Sequence, residues 1–110
     1  MTLWVCPMGI DLQWESERGE VHARISDERG LVSKIIAAHP SHDESACLRF
    51  IDLYGDTVFN RLQIPVFLDE LDAVPDLLLS AEEQEHREKI AELARKAENE
   101  VGTYLKFYGD

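Results

Sequence analysis

The chain opens on a two-residue rhythm. Ile10, Leu12 and Trp14 alternate with Asp11, Gln13 and Glu15, and Val21, Ala23 and Ile25 alternate with Glu20, His22 and Arg24. That period puts one set on a buried sheet face and the other in water. Ser16-Glu-Arg-Gly19 between the two runs supplies a turn with a glycine free to take positive φ, so a β-hairpin is predicted. A short strand is expected ahead of it around Leu3 to Cys6. The rhythm then lengthens: Leu31, Val32, Ile35 and Ile36 recur at helical spacing, with Ser26 or Asp27 available to cap the start. Pro40 forbids continuation, so this helix ends near His39 and a polar loop, 39–45, follows.

Leu48–Tyr54 and Thr57–Leu62 read as strands separated by a Tyr54-Gly-Asp56 turn. Pro65 suits the first turn of a helix whose apolar positions are Phe67, Leu68, Leu71 and Val74, and Pro75 interrupts it. The longest element begins at Ser80, which forms a capping-box pattern with Glu83. Ile90, Leu93, Ala94, Ala97 and Val101 make its apolar stripe. Glu83–Arg87, Glu85–Lys89 and Glu92–Lys96 stand at i,i+4 with the acid first. Gly102 marks the stop. Thr103–Tyr108 is expected to be a final strand. Leu105-Lys-Phe and the Tyr-Gly-Asp after it echo Leu48-Arg-Phe and its own Tyr-Gly-Asp, which makes the two segments candidates for neighbouring strands. The prediction is one α+β domain over 1–110. Its sheet, antiparallel or mixed, has four to six strands, with helices packed on one face.

Size and charge narrow the functional classes. A chain of 110 residues, 45% apolar, builds a core without disulfide staples. Its 22 acidic and 11 basic residues give a net charge of −11, which argues against binding nucleic acid and against anionic membrane surfaces. The apolar start lacks a preceding basic residue and is broken by Pro7 and Gly9, so neither a signal peptide nor a membrane span is expected. Cys6 and Cys47 each stand alone, without a CxxC pair. They read as free thiols buried in strands, as suits a reducing cytoplasm.

Candidate chemistry is sparse. His39 and His42 flank Pro40 beside Asp43 and Glu44, but the spacing lacks a convergent third ligand and reads as a surface loop, with no metal or cofactor predicted. Asp52, Tyr54, Asp56 and Asn60, with Thr57 and Arg61, form the densest polar and aromatic cluster. They serve either as turn formers or as a ligand-binding site of a small enzyme or binding protein. Gly-x-Ser-x-Gly, phosphate loops and Gly-x-Gly are all missing, so no catalytic residue is assigned. The charge pattern says more. Positions 62–86 hold seven acidic residues and no Lys or Arg, and Asp69, Glu70, Asp72 and Asp76 lack the helix-start explanation that covers Glu82 and Glu83. A face of that kind attracts a basic protein partner.

The stretch Leu48-Arg-Phe-Ile-Asp-Leu-Tyr-Gly-Asp-Thr-Val-Phe-Asn60 resembles a segment of a family of small uncharacterised bacterial proteins. The resemblance implies a bacterial source and brings no catalytic residue with it. Immunity-type inhibitors share this size and acidity. The expectation is therefore a non-enzymatic module that binds a protein through an acidic helical face. Self-association through strand 103–108, whose Tyr104 and Tyr108 line one side, is the other contact expected.

Overall fold

The computed structural model describes residues 9–27 and 29–109, with only the backbone of His42; the strand expected at Leu3 to Cys6 lies outside them. The elements run β1 (Asp11–Ser16), β2 (Val21–Ile25), α1 (Leu31–Ala37), β3 (Asp56–Phe59), α2 (Ile64–Asp72), α3 (Ala81–Asn99) and β4 (Thr103–Tyr108). Single 3₁₀ turns stand at His42–Glu44, Leu48–Phe50 and Asp76–Leu78. Among the described residues the sheet has four strands in the order β2-β1-β4-β3, every neighbouring pair antiparallel. The α+β class, the N-terminal hairpin and the long C-terminal helix followed by a last strand are all as the sequence predicts.

Alternation decides which face is buried. Thr103, Leu105 and Phe107 of β4 point into the core, while Tyr104, Lys106 and Tyr108 point away. Their partners on β1 follow, with Leu12 opposite Phe107 and Trp14 opposite Leu105. At Trp14/Glu15 the register with β2 slips, from Ala23 to Val21. His22 is left as the extra residue of a bulge, its ring 4.8 Å from that of Trp14. Against this face pack Val32 and Ile35 of α1, Ile64, Phe67 and Leu71 of α2, and Ile90, Leu93, Ala94 and Ala97 of α3. Phe59, Phe67 and Phe107 form a three-ring centre with centroids 5.4–5.6 Å apart, two of the contacts edge-to-face.

α3 starts as predicted. Ser80 Oγ accepts from Glu83 N–H at 3.1 Å, and the Glu83 carboxylate accepts from Ser80 N–H at 3.0 Å. Ser80→Ala is expected to cost about 1 kcal/mol in denaturant unfolding, and an unchanged midpoint would contradict that role. Gly102 ends the region at φ 79°. Of the three predicted i,i+4 pairs, Glu85–Lys89 closes at 3.8 Å. Arg87 instead turns towards α2, where it meets Asp76 and the Val74 carbonyl.

The central segment departs from expectation. Leu48–Tyr54 is a 3₁₀ turn followed by irregular chain, and β3 begins only at Asp56. The cause lies on α2, where the Glu70 carboxylate accepts the amides of Ala46, Cys47 and Leu48. Ser45 Oγ takes the amide of Arg49 at 2.9 Å. Amides held by side chains do not enter a strand ladder. Cys47 therefore caps a 3₁₀ turn instead of lying in a strand; it is a buried free thiol, pushed up in pKa by burial and by the Glu70 carboxylate. Cys6 lies outside the described residues.

β3, and not 48–54, is the neighbour of β4. The repeated Tyr-Gly-Asp still has a structural counterpart. Asp56 pairs with Tyr108, Gly109 N–H donates to Gly55 O at 2.7 Å, and a Cβ on Gly109 would stand 2.5 Å from Asp52 O. Tyr54-Gly-Asp56 and Tyr108-Gly109 thus lie close together at one end of the sheet. β4 is consequently an interior strand, paired along both edges, and among the described residues the outer strands are β2 and β3.

Candidate functional site

Three places carry the polar side chains that could act. The first is the turn 52–60. Asp52 Oδ1 accepts from Tyr54 N–H at 2.9 Å, and Thr57 Oγ1 accepts from Asp52 N–H at 2.9 Å. Asn60 Oδ1 accepts from the amides of Leu62 and Gln63, which fixes the entry to α2. Tyr54 is 74% exposed, and Asp56 faces Lys106 Nζ at 3.9 Å. Asp52, Tyr54 and Asp56 thus share one exposed turn, whereas Asn60 works at the helix start beyond β3. The side chains of Asp52, Thr57 and Asn60 serve local turn and helix-start chemistry, and Asp56 reaches across to β4.

The second is the flank of α2. Because α2 buries Ile64, Phe67 and Leu71, it turns Val66, Asp69 and Asp72 to solvent. The four carboxylates singled out by the sequence separate here. Glu70 is spent on the amides of 46–48, and Asp76 pairs with Arg87. Asp69 and Asp72 meet no cation within ion-pair distance among the described residues. Asp72 does border a small recess that also holds Arg87 and Arg95, so α3 returns positive charge to the side facing it. The run without basic residues is consequently narrower in space than in sequence. Exposed apolar side chains stand on either side of α2 along the chain: Leu62, 85% exposed, precedes the helix, and Leu77, 98% exposed, lies with Leu78 on the 3₁₀ turn after it.

The third place was not singled out by the sequence reading. Asp27, 2% exposed, sits under the β2–α1 corner. Oδ2 of its carboxylate accepts from Ile10 N–H at 2.9 Å and Val32 N–H at 3.2 Å, and Oδ1 accepts from Leu31 N–H at 2.7 Å. Of the two cap candidates, Ser26 and Asp27, it is Asp27 that caps α1, from beyond Gly30, whose φ of 67° turns the chain into the helix, and it also holds the start of β1. His86 of α3 lies beside it, its side chain only 9% exposed, with Nε2 3.7 Å from Asp27 Oδ1 and without a hydrogen-bond partner among the described residues. Arg29, Glu82, Glu85 and Lys89 rim a cleft of about 410 Å³ above the pair, and an Arg29–Glu82 ion pair of 2.7 Å spans it. The contact is too long for a hydrogen bond, and both Asp27 oxygens already accept backbone amides. The pair is a structural clamp with a titratable neighbour.

Burial pushes the His86 pKa down. Asp27 opposes the shift, Lys89 adds to it and Glu82 opposes it more weakly. A lowered folded-state value means that the unfolded chain takes up the proton first, so stability falls as pH drops below the ordinary histidine value of about 6.5. Between pH 7.5 and 5.5 the native protein is expected to lose more stability than His86→Gln. Equal losses in chemical denaturation at the two pH values would contradict the assignment.

His39 Nδ1 accepts from Ser41 N–H at 3.0 Å, and among the described residues no three His, Cys, Asp or Glu side chains converge as metal ligands. No described helix is long and apolar enough to cross a membrane. Comparison with family models, with curated proteins and with solved structures returns no match, so the functional reading rests on the geometry of this chain.

Proposed function

We propose that this protein is a non-enzymatic binding module that docks a basic protein partner on the exposed flank of α2 and the turn behind it. One observation carries the reading: Asp69 and Asp72, which close no ion pair among the described residues, share the exposed flank of α2 with Val66, and exposed Leu62 precedes that helix in the chain while Leu77 and Leu78 follow it. An apolar patch with unpaired carboxylates is the complement of a partner surface that mixes Lys or Arg with apolar side chains. The net charge of −11 adds long-range attraction for such a partner and repels nucleic acid. An inhibitor or immunity-type role, neutralising a basic protein, is the specific form this takes. Glu70 and Asp76 contribute to the field but are held by contacts inside the fold.

Photo-crosslinking in the native host tests the surface directly. A photoreactive residue at Val66 is expected to trap one discrete protein of basic charge, and the same residue at His22, on the β2 edge, is expected not to. Capture of that protein from His22 and not from Val66 would move the interface elsewhere and remove the proposal.

A further inference from the structure

A second surface differs from the α2 flank in both shape and charge. Between α1 and the irregular chain at 49–53 runs a groove of about 430 Å³, lined by Ser33, Ile36, Ala37, Arg49, Ile51 and Leu53. Ile36 and Ile51 form its buried floor and Leu53 a half-open wall. The size and the mainly apolar lining with one charged group are those of a small-molecule site. Arg49 is exposed but held. Its Nη1 donates to Asp43 O at 3.2 Å, and its guanidinium carbon lies 4.6 Å from the centre of the Phe50 ring. It makes no ion pair with a carboxylate among the described residues, although the chain has two acids for every base.

The geometry points to a binding site in this groove for a small amphiphilic carboxylate, its apolar body on Ile36, Ala37, Ile51 and Leu53 and its carboxylate on Arg49. Charge complementarity selects the head group. A guanidinium fixed by a carbonyl and a ring has lost little freedom still to lose on binding, and its remaining N–H groups match the two oxygens of a carboxylate. The tail is selected by the mainly apolar wall, whose one hydroxyl, that of Ser33, already donates to Gly30 O at 3.0 Å. A cationic or neutral amphiphile of the same length would fill the groove and leave Arg49 uncompensated. The protein's overall negative charge works against an anion at long range, so the contact pair must carry the selectivity at physiological salt, where distant charges are screened.

Octanoate, octylamine and octanol, each titrated below its micelle concentration into the ¹⁵N-labelled full chain in 0.15 M salt, test the assignment. Octanoate is expected to give saturable shifts at the amides of Ser33, Ala37 and Leu53, with an affinity about tenfold or more above that of the other two. Arg49→Gln, an exposed position, is expected to fold as the native protein does and to lose that preference. Ala37→Leu, which narrows the groove, is expected to weaken all three probes. Shifts that do not saturate, shifts outside the groove, equal affinity for the alcohol, or an unchanged preference in Arg49→Gln would each overturn it.

Discussion

Asp27→Ala is expected to lower the stability by about 3–5 kcal/mol, the sum of several charge-assisted hydrogen bonds and the amides left unsatisfied behind them. The carboxylate accepts from Ile10, Leu31 and Val32 at 2.7–3.2 Å, within a residue that is almost wholly buried. Ile10 precedes β1 and the other two open α1, so a single side chain ties the first strand to the first helix. Removing it leaves three amide donors without the acceptor that the fold supplies. The backbone around it has no slack either, since a Cβ on Gly9 would stand 1.8 Å from Asp27 O. Urea unfolding measures the loss. Asp69→Asn, on the exposed flank of α2, serves as the comparison and is expected to change the midpoint little. A loss below about 1 kcal/mol for Asp27→Ala would show that the clamp matters less than its geometry requires.

Phe67→Ala is the second large effect, expected at about 3–5 kcal/mol because the core closes only partly over the missing ring. Phe67 is fully buried and touches Phe59 of β3 and Phe107 of β4, so it is where α2 meets the sheet. Thermal unfolding followed by near-ultraviolet dichroism is expected to show both a lower midpoint and a weakened aromatic signal. Leu77→Ala removes a side chain that is 98% exposed and is expected to leave stability within about 0.5 kcal/mol. If the two variants melted alike, the ring cluster would not be the centre of the core.

These elements differ in how far the sequence alone reveals them. The hairpin, α3 and β4 are legible because each has a single clean period and its own terminal signal, as with Ser80 and Glu83 or with Gly102. The segment 48–54 reads as a strand by composition, but Glu70 of α2 claims the Leu48 amide with those of Ala46 and Cys47 ahead of it, and the side chains of Ser45, Thr57 and Asp52 take those of Arg49, Asp52 and Tyr54. No local pattern carries that information. The same limit applies to the charge run. Asp76 looks unpaired in sequence and is paired in space, because Arg87 lies one residue past the end of the run and points back across it. His86 was readable. It stands four residues before Ile90, on the stripe that continues through Leu93, Ala94 and Ala97. A polar helix start concealed that spacing. The turn 52–60 was recognised as a dense cluster of polar groups, and its hydrogen bonds are those of turn and capping residues.

Asp69 and Asp72 close no ion pair among the described residues, so their replacement is expected to report on binding and not on folding. For the partner trapped at Val66, the dissociation constant is to be measured across a range of salt concentrations, for the native protein and for Asp69→Asn/Asp72→Asn. Affinity is expected to fall steeply with salt for the native protein, and the double variant is expected to bind more weakly with a flatter dependence. A native affinity indifferent to salt, or a variant that follows the native curve, would contradict the acidic flank of α2 as the recognition surface.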